Sequence, residues 1–594
     1  MTKFRIFISF SALLLISACS DDPSAISDAS EINGQCGEAS IGLANLGSRV
    51  GQTIAIEATV HGEFLGEDKL SGLFVQSDSG AAFVRENHDV TEVQVGDRVR
   101  VTGTVASYQG HYKLTDVRHF TVCANNQPVT TTAIDFPLSA DASLSDVLFQ
   151  RVRIEPPLTV IGHYQLARFG TLDVASERLW VPTQVVSPGA EAAQLAALNN
   201  ARRFVLDDGS QQEYPETVRY PAPGLHIERP VRTGDTVSNL EGVFVIEGRN
   251  FHFHPVAEPH FEATNPRPEV PSFDEGDLRV VAFNVLNYFN GDGQGGGFPT
   301  PRGAETPAEF ERQRVRIINT IIALDGDIYA LMEMENDGFD STSAIQDLTR
   351  GLNQAIGSDV YAFSSADAPR VGGDAITQAL IYRRDRVEPI SALRWTTEGA
   401  FNWGSRPPLA QNFRVLASNK EVAVVANHFK SKGSCPRASD DINANQGDGQ
   451  GCWNPLRTQA AEELVRWLES NPLSINHQNY VVLGDFNAYA QEDPIQKLAD
   501  FGYLNLAETF EPEGYSYVFR GEKGSLDHIL AHESIKDAVR GLRHWHVNAD
   551  EPVAFEYPFG QKTPEQRQAW YSQAPYRASD HDPIIVVLET ERLH

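Results

Sequence analysis

Tyr480-Val481-Val482-Leu483-Gly484-Asp485-Phe486-Asn487 runs four strand-forming residues straight into a polar turn. Two later stretches share the design. Ser525-Leu526-Asp527-His528 leads into Ile529-Leu530, and Ser579-Asp580-His581-Asp582-Pro583 leads into the apolar run 584–588. Short β-branched runs bounded by turn residues read as strands, so Asp, Asn and His gather at strand ends. Oxygen ligands with an imidazole beside them suit a Mg²⁺ or Ca²⁺ site with a general base. That is the equipment for phosphoester hydrolysis.

The pattern repeats upstream. Apolar run 280–283 ends at Asn284, run 328–332 at Glu333, and run 422–426 at Asn427-His428. Between these runs, residues 308–324, 343–351 and 454–470 have helical spacing. Strands alternating with helices predict an α/β sandwich with a mixed sheet over residues 278–594. Its polar residues then lie along one edge, on loops leaving the strands.

The first half has a different texture. Residues 36–123 alternate apolar and polar in runs 53–60, 72–76 and 98–105, with turn signals at 78–80 and 96–97. Several short strands in so little chain predict a small β-barrel. Residues 124–265 are again β-rich, with an Ala-rich helix over 190–199. Asp207-Asp208-Gly209 reads as a turn, with Ca²⁺ binding as its alternative. Pro266, Pro268 and Pro271 mark 266–277 as a linker.

With 594 residues the chain exceeds one core, so several domains are expected. Hydrophobic content of 41% and charge of 22% fit a globular protein, but the net charge of −30 repels nucleic acid. Any phosphate-rich partner must therefore be met by local basic patches and bound divalent cations. At the N-terminus, Lys3 and Arg5 precede an apolar run ending in Ser17-Ala18-Cys19. This reads as a signal peptide. Cysteine after Ser17-Ala18 resembles a bacterial lipobox, which implies lipidation at Cys19, with ordinary cleavage nearby and a released protein as the alternative; Ser20 resembles outer-membrane sorting. Residues 20–35 are Ser/Asp-rich and read as a flexible tether. Four cysteines remain, and export permits disulfides. Nearest-neighbour pairing gives Cys36–Cys123 and Cys435–Cys452, one of three connectivities. A zinc site is the alternative, although no CxxC pair supports it.

Residues 278–589 resemble the endonuclease/exonuclease/phosphatase superfamily. The resemblance rests on Phe283-Asn284-Val285-Leu286-Asn287-Tyr288-Phe289, Arg302-Gly303-Ala304, Glu309-Phe310-x-Arg312-Gln313 and Leu331-Met332-Glu333-Met334-Glu335-Asn336. It continues with Asp374-Ala375-Ile376, Asn427-His428-Phe429-Lys430-Ser431-Lys432-Gly433 and the three stretches above. Within the superfamily, the chain is most similar to secreted bacterial nucleases, the ExeM- and NucH-like extracellular deoxyribonucleases. The first barrel resembles the OB-like module of that group, and OB barrels often bind single strands or sugars.

The resemblance implies a four-layer sandwich and a division of roles. Glu333 becomes the principal Mg²⁺ ligand, with Asn284 and Asp580 near the same ion; Mn²⁺ and Ca²⁺ are alternatives. Asp485 and Asn487 hold the attacking water or a second cation. His581 is the general base, oriented by Asp527. His428 contacts the scissile phosphate, with Asp374 as its candidate orienting partner. Lys430 and Lys432 are candidate phosphate contacts. Glu335 competes with Glu333, since the two share a strand face if the strand continues. The implied activity is an exported Mg²⁺-dependent nuclease cleaving extracellular DNA, with RNA an alternative substrate, to 5′-phosphate ends. Two other readings stand beside it. One is a phosphatase or phosphodiesterase acting on inositol phosphates or sphingomyelin; the other is a non-catalytic surface protein binding DNA or glycans. No protein partner is implied.

Overall fold

The computed structural model describes residues 34–86, 90, 93–109, 111–139 and 141–594. The expected leader with Cys19, and the tether as far as residue 33, lie outside the described residues. No helix among the described residues is long and apolar enough to cross a membrane.

The C-terminal half, residues 278–594, is built on two mixed sheets. The first runs, in spatial order, Tyr361–Phe363, Ile376–Arg383, Ile328–Glu335, Leu278–Tyr288, Ile584–Leu588 and Val539–His544. The second runs Val387–Pro389, Leu409–Val415, Glu421–His428, Tyr480–Asp485, Asp527–His532 and Tyr503–Asn505. Each sheet has a parallel pair at its centre: Leu278–Tyr288 with Ile328–Glu335, and Glu421–His428 with Tyr480–Asp485.

Side-chain alternation decides the layers. Val280, Ala282, Ala330 and Met332 pack with Val422, Val424, Ala426, Val481 and Leu483 in one core between the sheets. The alternate residues Val281, Phe283 and Leu331 pack with Ile317 and Ile321 of helix Pro307–Leu324 and Leu348 of helix Ala344–Ile356. On the second sheet, Val425 and Val482 face Ala461 and Leu464 of helix Asn454–Glu469. Helix, sheet, sheet and helix therefore stack as four layers. The helix signals are local: Thr306 and Glu309 form a capping box with Pro307 at the first turn.

In the first half, strands Thr53–Phe64, Gly72–Ser77, Gly80–Arg85, His111–Ala124 and Arg98–Tyr108 close into a barrel in that spatial order. A nine-stranded sheet follows in residues 132–262, and it carries helix Ala190–Ala201. Both disulfides form with the nearest-neighbour pairing, Cys36–Cys123 and Cys435–Cys452. The first ties the chain entering the barrel to its last strand. The second closes a 17-residue span that enters helix Asn454–Glu469.

The β-rich half is latched to the C-terminal half by Asp550, whose side chain is 0% exposed. Its carboxylate accepts from Arg178 Nη2 at 2.7 Å, Thr233 Oγ1 at 2.6 Å and Asn265 Nδ2 at 2.8 Å. Tyr515 of the C-terminal half donates to it at 2.7 Å. Alongside, Arg267 makes a bidentate pair with Glu551 at 2.7–2.8 Å, so the Pro-rich segment is pinned where it passes this seam. Burial works against the Asp550 charge, but Arg178 and Arg232 outweigh it and hold the carboxyl well below the usual range.

Asp550→Ala leaves buried Arg232 and half-buried Arg178 beside an empty position, and a loss of about 3–5 kcal/mol in urea unfolding is expected. A depressed carboxyl contributes stability that is complete above its unfolded pKa, about 3.9. That stability drains away as pH falls toward the lower folded value. Wild type should therefore weaken below about pH 4 more steeply than Asp550→Asn; parallel acid curves would refute the latch.

Candidate active site at the strand ends

The alternation that builds the inter-sheet core also delivers the site. Asn284 continues the series Val280, Ala282; His428 continues Val422, Val424, Ala426; Asp485 continues Val481, Leu483. Asp527 starts the series Ile529, Ala531 from the other direction. Four polar side chains thus enter the same edge of the core in phase with its apolar residues. Asn284 Nδ2 donates to Asp485 Oδ2 at 3.2 Å and joins the two sheets there.

Glu333 follows Met332, which already faces the other sheet, and is therefore out of phase by one residue. The backbone corrects this. Glu333 has φ +66°, and the pairing with Ile376–Arg383 slips between Leu331 and Met334. The neighbouring strand slips between Asn284 and Tyr288, with Leu286 and Asn287 also left-handed at +55° and +53°. Such bulges re-aim side chains, and left-handed non-glycine residues gathered at one place mark stored strain. Glu333 Oε2 then accepts the Asn287 backbone N–H at 3.0 Å. Gly484 is required one residue before Asp485: its φ is +135°, and a Cβ would meet the Asn427 carbonyl at 2.1 Å.

His581 Nδ1 lies 2.6 Å from Asp527 Oδ2, and Ser516 Oγ donates to the same oxygen at 2.7 Å. The Tyr517 ring lies over the imidazole at 4.6 Å between centroids. Burial opposes charge on His581, but Asp527 and Asp580 prevail and hold its pKa well above the ordinary value. Asp485 Oδ1 accepts the Asn487 N–H at 2.8 Å. Burial, then Asp527, push the Asp485 carboxyl up to about 7. Burial, then Asp580, raise Glu333 likewise. Asn487 is left-handed at φ +50° and donates through Nδ2 to the Phe429 carbonyl at 3.2 Å.

The donor set fits a divalent cation. Ligand atoms of Asp485, Asp527 and His581 lie within 4.8 Å of one another. Glu333, Asp580 and Asn284 add hard oxygen beside them, the ligand type Mg²⁺ and Ca²⁺ take. The raised carboxyls of Glu333 and Asp485 are those of groups whose charge the protein alone does not fully offset.

Several expectations change here. Asp374 does not orient His428: its carboxylate is held by Arg406 Nε at 3.0 Å and Arg302 at 3.4 Å. The carboxylate facing His428 is Asp485, whose Oδ2 lies 3.5 Å from Nε2. Burial, then Arg406 and His581, push His428 well below its usual pKa, so it is a neutral imidazole. Lys432 turns inward, donating to Glu492 and the Gln450 carbonyl at 2.7 Å, and is committed to that buried pair. Lys430 Nζ binds the Ser431 and Gly433 carbonyls at 2.9 and 3.2 Å and lies half-buried over Trp453. Glu335 parts company with Glu333: it accepts the Asn290 N–H at 3.1 Å and sits by Asp337 instead. Sequence reading missed Ser516, Tyr517 and Arg406. Arg302 stood in a quoted stretch without a role.

Residues 281–581 match the Endonuclease/Exonuclease/phosphatase family. Similar solved structures include a family protein from Bacteroides vulgatus, 16% identical with TM-score 0.34, covering 53% of this chain and 100% of that one. The human Nocturnin catalytic domain with bound sulfate is 16% identical, TM-score 0.31, covering 52% and 92%. D. rerio TDP2 complexed with a single-strand DNA product is 14% identical, TM-score 0.31, covering 53% and 99%. No curated protein matches. A family match that spans half of the 594 residues and contains every member of the strand-end cluster makes this chain a member of the endonuclease/exonuclease/phosphatase family, and a phosphoesterase.

Proposed function

We propose that the protein is an exported, divalent-metal-dependent nuclease that hydrolyses phosphodiester bonds of extracellular DNA, as the secreted bacterial nucleases it resembles do. The observation that carries this reading is the His581–Asp527 pair, set beside Asn284, Glu333, Asp485 and Asp580. With Nδ1–H donated to Asp527, His581 turns Nε2 toward an attacking water; with the carboxylates that favour its protonated form offset by a cation held among them, Nε2 is free to take the water's proton. Glu333, Asn284 and Asp580 are the residues to hold Mg²⁺, with Asp485 and Asn487 adjoining. Bound there, the ion supplies Lewis-acid stabilisation of phosphoryl charge. The water oxygen attacks phosphorus, His581 takes its proton, and the bond to the 3′ oxygen breaks. The leaving 3′ oxygen takes a proton from solvent water and His581 returns its own to solvent, so the products are a 5′-phosphate and a 3′-hydroxyl. Neutral His428 contributes a hydrogen bond to the phosphate, and Arg302 and Arg406 contribute fixed positive charge nearby. Both disulfides suit an oxidising compartment, consistent with export and anchoring through Cys19.

A polymeric substrate is favoured by one feature of the rim. Tyr517, over His581, stacks toward Phe519 at 6.5 Å between centroids. Phe519 is 50% exposed and carries Arg520 over its ring at 5.2 Å. An aromatic track with a cation beside it suits unpaired bases leading away from the scissile bond. The strand Tyr517–Phe519 is backed by Glu522–Gly524, which pairs with Leu179–Trp180 of the β-rich half. Supporting this ribbon is the role we assign to that half.

The purified protein should nick plasmid DNA with Mg²⁺ and lose this activity in EDTA. His581→Ala and Glu333→Ala should each lower the rate by roughly 10²–10⁴-fold, whereas Glu335→Gln should have little effect. Undiminished cleavage in either alanine variant would sink the mechanism. Turnover of inositol phosphates or sphingomyelin without DNA or RNA cleavage would replace the nuclease reading.

Phe519→Ala should weaken single-stranded oligonucleotide binding by about 1–3 kcal/mol, the loss of one base–aromatic stack. Hydrolysis of bis-p-nitrophenyl phosphate, which is too short to reach the track, should be unaffected. Equal losses on both substrates would show that Phe519 acts only on local folding.

A further inference from the structure

A second cluster of ligating side chains lies outside the strand-end site, in the β-rich half. Asp207 closes strand Arg203–Leu206, Glu247 ends strand Leu240–Glu247, and His252 and His254 sit on strand Asn250–Pro255. The last two strands form a hairpin, and Arg203–Leu206 pairs beside it. Residues two apart share a strand face, so both histidines turn toward Asp207 and Glu247. Ligand atoms of Asp207, Glu247 and His254 lie within 4.8 Å of one another.

His254 is the telling member. It is 1% exposed, and neither ring nitrogen has a hydrogen-bond partner. Leaving such groups unmade costs about 1–3 kcal/mol each. What faces the ring is carboxylate at slightly too great a range: Asp207 Oδ1 is 3.6 Å from Nδ1, and Glu247 Oε1 is 3.6 Å from Nε2. One ion takes one ring nitrogen, so only one of these two contacts can be a ligand–ligand edge; two ligands on a zinc-sized ion at tetrahedral angles sit roughly 3.4 Å apart, and the third ligand atom lies within the 4.8 Å that all three share. His252 Nδ1 is bound to Asp207 Oδ2 at 2.8 Å, the kind of outer contact that orients a ligating carboxylate. Glu247 is 46% exposed at the hairpin end and opens the cluster to solvent.

From this geometry we propose that Asp207, Glu247 and His254 form a binding site for a divalent transition ion of the zinc type, with His252 orienting Asp207. An imidazole with two carboxylates favours such an ion over Mg²⁺. The site is structural. The Phe64 ring of the barrel stands edge-on to His254 at 5.8 Å between centroids. Gln211, just beyond the Asp207 turn, donates its N–H to the barrel carbonyl of Asp68 at 2.7 Å. An ion here fastens the 207–211 turn to the hairpin at the seam where barrel and sheet meet.

The test uses the full chain with disulfides intact, stripped by chelator, carrying Glu333→Gln and Asp485→Asn to weaken the strand-end site. Zn²⁺ is titrated calorimetrically in millimolar Mg²⁺, and bound metal is counted by mass spectrometry. One equivalent of zinc should bind and raise the melting temperature. Glu247→Ala, at an exposed position that leaves the packing alone, should lower affinity about tenfold or more and remove the thermal shift. His254→Gln should do the same. Absence of any zinc equivalent, or unchanged affinity in Glu247→Ala, overturns the proposal. Neither outcome depends on whether the strand-end site cleaves DNA.

Discussion

Mutual repulsion among buried carboxylates is the constraint around which the catalytic half is arranged. Glu333, Asp485, Asp527 and Asp580 are drawn to one edge of a core otherwise made of Val, Ala, Leu and Ile. Burial penalises the charges of Glu333 and Asp485, and the neighbouring carboxylates add to that cost. The protein offsets part of this from its own groups. His581 bears a proton against Asp527, Asn284 donates to Asp485, and backbone amides of Asn287 and Asn487 meet Glu333 and Asp485. The remainder is what a divalent cation would neutralise. The same imbalance that destabilises the edge makes it a candidate metal site, and strain and charge collect at functional sites.

How legible this was depended on phase. Asn284, His428, Asp485 and Asp527 could be read from sequence because each extends a period-two apolar series into one edge. The four layers followed from the same alternation and from helix signals such as Thr306-Pro307. Glu333 and Glu335 could not be separated that way. Their separation comes from a left-handed residue and a slipped register, and both are decided by tertiary packing. Lys432 looked like a phosphate contact because lysines beside a site usually face solvent. Its partner, Glu492, lies 60 residues on in another loop. Asp374 was misjudged for a similar reason: Arg406, which takes its carboxylate, carries no local signal. Ser516, which steadies Asp527, is an ordinary loop serine until the chain is folded.

The β-rich half is more than an appendage joined by a linker. Arg178, Thr233 and Asn265 converge on one carboxylate of the catalytic half. Two residues beyond Arg178, Trp180 lies under Lys523, with Nζ 3.8 Å from the ring centroid. Thr183 hydrogen-bonds Glu492 at 2.8 Å, the residue that holds Lys432. One short segment, 178–184, thus fixes the latch, backs the Tyr517–Phe519 ribbon and supports the loop after His428. Deleting this half would disturb the rim of the site as well as exposing an interface, and loss of activity in such a truncation could not be assigned to loss of substrate binding.

The net charge of −30 is compatible with a polyanionic substrate only if attraction is local. Fields of distant carboxylates are screened beyond about 8 Å at physiological ionic strength, whereas contacts at the site are not. Arg302, Arg406 and Lys430 all lie close enough to His428 to help lower its pKa. Arg520 stands at the end of the aromatic track. Long-range repulsion slows encounter, but short-range cations, metal and stacking govern what happens after it. In such an arrangement added salt has two opposed effects: it relieves the repulsive field and weakens the local ion contacts. A protein that binds a polyanion through many cations loses affinity steeply with salt through counterion release; an acidic exterior with its cations confined to the site would lose less.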